Sequence, residues 1–174
     1  MSEAPRTRPE LDQTGAARAL GAGARCIAVQ VRAALYGLPV EDVQEVMSPR
    51  PLTRVFHAPP ALAGVTSLRG EVLPVLDLAL LLGVAETSVT LEPCIVVVRE
   101  AGGQRRRAGL LADGLAGLRD LPEGGLVAAP ATLGERARSL VVGVIADPPP
   151  CSVLSVPEIF DSPLISALSG RIPG

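Results

Sequence analysis

The sequence predicts a mainly β fold of two similar halves, each of about five short strands, the number that closes a small barrel and hides its edges. Three observations carry this. The 174 residues include 18 glycines and 17 prolines, punctuation that favours many short strands and turns over long helices. Apolar residues make up 48% of the chain and aromatics only 2%, so the core must be built from Val, Leu, Ile and Ala. Finally, the chain repeats itself. Gly37-Leu38 returns as Gly109-Leu110 and Val43 as Leu115, both 72 residues on, and Ala58-Pro59 returns as Ala129-Pro130 at 71. Gly64-Val65 returns as Gly143-Val144 at 79, and Val75-Leu76-Asp77-Leu78 as Val153-Leu154-Ser155-Val156 at 78. Each match is weak among such common residues, but their shared order is not.

The organisation follows. Residues 1–24 hold Leu11 and Leu20 as their only large apolar side chains, too few to order a segment, and are expected to be a flexible tail. The folded unit is expected over residues 25–170, with approximate halves 25–90 and 91–170.

In Cys26–Val31, Ile27, Val29 and Val31 alternate with Ala28 and Gln30, the period of a strand with one buried face. Leu35–Leu38 is a second strand, joined to the first by Arg32-Ala33-Ala34, which lacks the Gly, Asn or Asp of a good turn. Pro39 is expected to open a helix, with Glu41 and Asp42 facing its positive end and Val40, Val43, Val46 and Met47 on one face. Ser48-Pro49 ends it, and Leu52–Phe56 is a further short strand.

The stretch Gly64–Leu78 organises the rest. Val65–Leu68 and Val72–Val75 are strands around an Arg69-Gly70 turn, where glycine accepts the positive φ of a tight hairpin and the guanidinium stands at the tip. Asp77 caps a short helix that Gly83 stops. Residues 84–93 form a linker, and Cys94–Val98 and Arg106–Leu111 make a hairpin on Gly102-Gly103. Arg105-Arg106-Arg107 is read as a solvated strand entrance. Leu115–Leu121, Leu140–Ile145 and Cys151–Leu154 complete the strands, with a Gly/Pro-punctuated excursion at residues 122–138. Ser155 and Glu158 fit a capping box, and a last helix is expected from Pro163 to Leu168, stopping at Gly170.

Composition narrows function. Net charge is −2 with both signs mixed, against nucleic acid or an anionic membrane surface as partner. No apolar run is long enough to span a bilayer and no secretory signal is present, so a cytoplasmic protein is expected. Cys26, Cys94 and Cys151 are odd in number, far apart and placed at the starts of apolar runs, as buried structural thiols are. His57 is the only histidine, with no nucleophile signature beside it. With no nucleophile–base pair, metal cluster or phosphate-cradling loop, no catalysis, cofactor or metal is expected.

The motifs Tyr36-Gly37-Leu38-Pro39-Val40, Val43-Gln44-Glu45-Val46, Thr53-Arg54-Val55, Gly64-Val65-Thr66-Ser67-Leu68-Arg69-Gly70 and Pro74-Val75-Leu76-Asp77-Leu78 together resemble the CheW-like chemotaxis coupling proteins. Gly109-Leu110-Leu111-Ala112-Asp113-Gly114-Leu115 is similar to the family's second-barrel segment. The resemblance covers about residues 25–165. It implies two pseudo-symmetric five-stranded SH3-like barrels around a shared apolar seam. It also implies a non-enzymatic adaptor that joins the cytoplasmic tips of chemoreceptors to a CheA-type histidine kinase, through the kinase's own CheW-like regulatory domain. The alternative is a stand-alone scaffold that works without a kinase. By the same resemblance Val43, Glu45, Gly64 and Arg69 belong to the receptor and kinase contact region, and Leu115 helps line the groove between barrels. Two departures stand out in the second half: Asp147-Pro148-Pro149-Pro150 replaces a Gly and polar turn, and Ser155 stands where an aspartate is common. Independently of the family, an arginine on a turn offers its planar donor fork to a partner, unless an intramolecular pair, for instance with Glu71 or Asp77, takes it to stiffen the turn. Val43 would equally serve as a core residue.

Overall fold

The computed structural model describes residues 20–21, 23–86, 91–101 and 106–169. Strand β1 (Arg25–Val31) turns back as β2 (Ala34–Pro39), and a single 3-10 turn, Val40–Asp42, leads to β3 (Val43–Met47). A loop then reaches the hairpin of β4 (Leu62–Leu68) and β5 (Glu71–Asp77), which runs into helix α1 (Leu78–Leu82). The second half follows the same plan with β6 (Cys94–Arg99), β7 (Arg107–Ala112) and β8 (Gly114–Asp120). Helix α2 (Glu135–Leu140), β9 (Val141–Ile145), β10 (Cys151–Leu154), α3 (Val156–Asp161) and α4 (Pro163–Ser169) complete it.

These strands form two five-stranded sheets, ordered β8-β1-β2-β10-β9 and β3-β6-β7-β5-β4. Moving every label on by five, and counting round from ten to one, turns the first order into the second. The internal repeat is thus a structural pseudo-symmetry. Neither half closes on itself, however: the first sheet takes β1 and β2 from residues 25–90 and its other three strands from 91–170, and the second sheet does the converse. The two halves join at the parallel pairs β2–β10 and β5–β7 and at the antiparallel pairs β1–β8 and β3–β6. Even the irregularities repeat, since β3 has a register shift between Val43 and Glu45, and β8 carries one between Leu115 and Gly117 opposite Val29 and Ala28.

Each sheet encloses a small core. Cys26, Ala28, Leu121, Ile145, Cys151 and Val153 fill the first, and Leu68, Leu73, Val75, Ile95 and Val97 the second. The largest cluster lies between them and draws on both sheets and on helices α1, α2, α3 and α4; it includes Val29, Leu38, Leu76, Leu81, Val96, Leu110, Leu140, Ile159 and Ile165. All three cysteines are buried and free. A Cβ on Gly37 of β2 would lie 2.7 Å from the Cys26 sulfur and 3.3 Å from that of Cys151, so the bare glycine makes room for both thiols. The thiol hydrogen bond between Cys26 and Cys151, together with burial, pushes the Cys26 thiol far above its ordinary value, and burial pushes Cys94 up as well.

Several local expectations are corrected. The helix from Pro39 through Met47 is a strand after its first turn. Val43 to Met47 pair with Val98 to Ile95 of β6, because that edge would otherwise leave its backbone groups unpaired and β-branched Val43 and Val46 suit a pleated surface. Of Leu52–Phe56 only Thr53 makes a bridge, to Val65. Leu20 and Ala24, expected to belong to the tail, pack against the first sheet's core, and the Ala24 N–H donates to Gly21 O at 3.0 Å. Residues 1–19, the Gly102-Gly103 turn, Arg105 and Gly170 lie outside the described residues. Only half of the capping box forms. Ser155 Oγ accepts from the Glu158 N–H at 3.3 Å, while the Ser155 N–H is taken by Leu140 O at 2.8 Å. The excursion at 122–138 holds most of α2 and an isolated bridge from Val127 to Val144.

Other expectations hold. Asp77 accepts from the Leu80 N–H at 3.0 Å and Gly83 ends α1 with φ 67°. The Asp147–Pro150 corner is exposed, with a cis Pro148-Pro149 bond, and Arg119 donates to Asp147 O and Pro149 O at 2.8 and 2.9 Å.

Candidate partner-binding surface

The β4–β5 hairpin is built as its residues dictate. Leu68 pairs with Glu71, and between them Arg69 and Gly70 adopt φ 52° and 83°, the left-handed pair that matches strand twist. Alternation then sends Leu73 and Val75 into the core and leaves Val72 exposed beside the tip. The sequence pattern carried that signal, although Val72–Val75 reads first as one continuous buried run.

Arg69 does form the intramolecular pair weighed for it, but with neither of the acids foreseen. Glu71 pairs with Arg107 of β7, and Asp77 is occupied as the α1 cap. The Arg69 guanidinium instead lies 3.1 Å from Glu45 Oε1 on β3, with the arginine side chain 70% exposed and the glutamate 28%. Two of the residues singled out in the sequence therefore meet, one from the β4–β5 turn and one from β3, the outer strand at the other edge of the second sheet. One bond of this kind leaves most of the five guanidinium donors able to reach a partner.

Gly64 acts from underneath. It is buried on β4 with φ 154°, and a Cβ there would stand 2.7 Å from Thr53 O and 3.0 Å from the Leu52 Cβ. Only glycine lets the 52–53 segment lie against β4, where Thr53 and Val65 exchange two backbone hydrogen bonds at 2.9 Å. Arg50 Nη1 reaches Ser67 O at 3.5 Å on the same side. Gly64 thus shapes the surface without presenting a side chain to it. Val43 is half-buried and packs against the large central cluster, the core role weighed for it above.

Leu115 lies elsewhere. It sits on β8, the outer strand of the other sheet, at the position that matches Val43 by the internal repeat, and is 53% exposed beside exposed Leu118. Val43, Glu45, Gly64 and Arg69 thus cluster on one sheet, and Leu115 marks its counterpart on the other.

The arginines at the start of β7 are not a solvated strand entrance. Arg107 bonds Glu71 and braces the hairpin from the side. Arg106 donates from Nε and Nη2 to both Glu100 oxygens at 2.6 Å, and to Asp161 and Phe160 O as well. Those bonds hold its proton far more tightly than usual. Sequence reasoning missed both because their partners lie on other strands and on α3. Among the described residues no group of three or more His, Cys, Asp or Glu could hold a metal, and no helix is long and apolar enough to cross a membrane.

Comparison with known proteins gives one consistent family. The model of the CheW-like domain matches residues 25–164. The chain is 31% identical over 134 residues to the chemotaxis protein CheW of Rhizobium meliloti (strain 1021), covering 76% of this chain and 84% of that protein. It is 35% identical over 109 residues to protein FrzA of Myxococcus xanthus, covering 63% and 66%. In structure it resembles the scaffolding protein TtCheW from Thermoanaerobacter tengcongensis, with a TM-score of 0.69 at 22% identity over 81% of this chain and 94% of that one.

Proposed function

We propose, from the premise that this chain belongs to the CheW-like family, that it is a non-enzymatic chemosensory adaptor coupling chemoreceptor tips to a CheA-type histidine kinase. In this reading it works in the cytoplasm, is recruited to receptor arrays, and docks on the kinase's CheW-like regulatory domain. One observation carries the assignment of the contact surface: Arg69 and Glu45, far apart in the chain, are brought to 3.1 Å at an exposed hairpin tip.

The physical role of that surface follows from its parts. The β4–β5 hairpin is held by β7 on one side and by the Thr53–Val65 bridge on the other, which fixes its backbone, and the solvated Arg69–Glu45 pair orients the tip. A preorganised tip loses little side-chain freedom on binding. The guanidinium offers directional donors to carboxylates or backbone carbonyls of a partner, and Val72 offers apolar area beside it. Leu115 and Leu118 supply a second apolar strip on β8, suited to the groove between the barrels.

The test is binding of purified chain to a cognate receptor cytoplasmic fragment and to the kinase regulatory domain, for parent and Arg69→Glu. The variant is expected to melt within a few degrees of the parent, because exposed ion pairs contribute at most about 1 kcal/mol. Its affinity for at least one partner is expected to fall about 30-fold, the loss of roughly 2 kcal/mol typical of an anchor residue. Undiminished binding to both would remove Arg69 from the interface. Parent chain that binds the receptor fragment and not the kinase would identify a stand-alone scaffold.

A further inference from the structure

Two arginines outside the proposed contact surface occupy reciprocal places in the pseudo-symmetric fold. Arg32 is in the turn between β1 and β2, the leading hairpin of the first sheet, with φ 54°. Arg106 stands just before β7, in the β6–β7 hairpin that is its counterpart in the second sheet. Each reaches out of its own sheet to the end of the other sheet's helix or just beyond it. Arg32 Nη2 donates to Glu86 at 3.0 Å, just beyond α1, which follows β5 of the second sheet. Arg106 donates to Asp161 at 2.7 Å and to Phe160 O at 3.1 Å, at the end of α3, which follows β10 of the first.

Both arginines are also anchored at their own end. The Arg32 N–H and Nη1 donate to the two oxygens of Asp113 at 2.6 and 2.9 Å, where the chain passes from β7 to β8 and so from one sheet to the other. This grip explains how an Arg-Ala turn without glycine holds a left-handed residue. Arg106 is fixed by the two-pronged bond to Glu100 and lies 5.4 Å from the Phe160 ring centroid. The geometry is that of a guanidinium preset by one acid on its own side and closed by a second acid across the seam.

We propose that Arg32 and Arg106 are a reciprocal pair of latches that hold the α1 end and the α3–α4 end of the inter-barrel seam shut, each controlling the opening of one end independently of the other. The apolar seam joins the sheets along its whole length. The latches act where these short helices end, in bonds such as Val84 N–H to Ala79 O at 3.1 Å, Ser162 N–H to Ile159 O at 3.3 Å and Ile165 N–H to Ser162 O at 2.9 Å. Such helix ends open locally at a free energy set by the contacts that pin them.

Amide hydrogen exchange on the full chain tests this. Arg32→Ala should speed exchange at Gly83 and Val84 about threefold, as loss of one solvent-exposed ion pair implies, and leave Ser162 and Ile165 near their parent rates. Arg106→Ala should do the reverse. Val29 in β1 and Val97 in β6 report the barrels themselves and should change much less than the released end. Equal acceleration at both ends and in both barrels would mean that the arginines only add global stability, and would overturn the proposal. So would unchanged rates at the released end. Should either variant fail to fold, Glu86→Ala and Asp161→Ala cut only the cross-seam bond of an exposed acid. They should give the same end-specific pattern at about threefold; its absence there would equally sink the idea.

Discussion

Arg69 shows how much one residue can reveal in sequence and how much it withholds. Its turn was legible, because Gly70 supplies a positive φ and the flanking runs alternate as strands do. Its partner was not, because Glu45 enters from β3, whose position depends on pairing with β6. Arg69 itself bears φ 52°, a conformation that costs a side-chain-bearing residue about 1 kcal/mol or more and glycine almost nothing. The ion pair with Glu45 is largely solvated and contributes less than about 1 kcal/mol. Arg69→Gly is therefore expected to keep or slightly raise stability, by up to about 1 kcal/mol, while removing the guanidinium. Urea denaturation measures this, and a loss greater than about 1 kcal/mol would show that the pair, not the turn, holds the hairpin. The three cysteines were legible as small buried residues from their places at the starts of apolar runs. That two of them share the space left by Gly37 was not, because Cys26 and Cys151 lie on β1 and β10, on either side of β2.

At the scale of elements, strands with their own alternation and helices with their own caps were readable from local sequence. β1, β6 and the β4–β5 hairpin fall where period and turn chemistry put them, as does α1 between Asp77 and Gly83. β3 was not readable. Val40, Val43, Val46 and Met47 match a helical face, and Pro39 is a good first residue for a helix, so local preference and tertiary demand disagree. The open edge of β6 decides the outcome. Gly64 depends on the same arrangement, because it admits the segment running from β3 to β4. Gly64→Ala would press a Cβ against a backbone carbonyl that has no freedom to turn away, at a φ of 154° that is strained for alanine. The expected cost is about 2–3 kcal/mol, measured by chemical denaturation, with faster amide exchange at Thr53 and Val65 reporting a disturbed second barrel. An alanine variant as stable as the parent would mean that the 52–53 segment is not held there.

On the scale of the molecule, the repeat announced two equivalent units but not how they are assembled. Each sheet takes strands from both sequence halves, so cutting the chain near residue 90 would leave both sheets incomplete. The N-terminal boundary is likewise a matter of tertiary contact. Leu20 and Ala24 lie against the first sheet's core, and the Leu121 N–H bonds Ala24 O at 2.9 Å, although residues 1–24 as a group look too polar to pack. Deleting residues 1–19, which offer only Leu11 as a large apolar side chain, is expected to leave the melting temperature within about 2 °C. Deleting residues 1–24 removes the packed contacts and should cost about 1–2 kcal/mol, a drop of several degrees. Differential scanning calorimetry separates the two, and equal melting of both truncations would contradict a packed role for Leu20.

The sequence by itself determined that the protein is built mainly of short strands, that its units come in a repeated pair, where the hairpin and two helix caps lie, and which family motifs it carries. These follow from properties local to a few residues: the alternation that assigns a face, the glycine that permits a φ, the side-chain oxygen that caps a helix. Only the tertiary structure decided that β3 is a strand, that the two halves exchange strands, and that Arg69, Arg106 and Arg32 pair with Glu45, Asp161 and Glu86. Strand edges and charged side chains are satisfied by whatever stands beside them, and in this fold those neighbours come from distant parts of the chain.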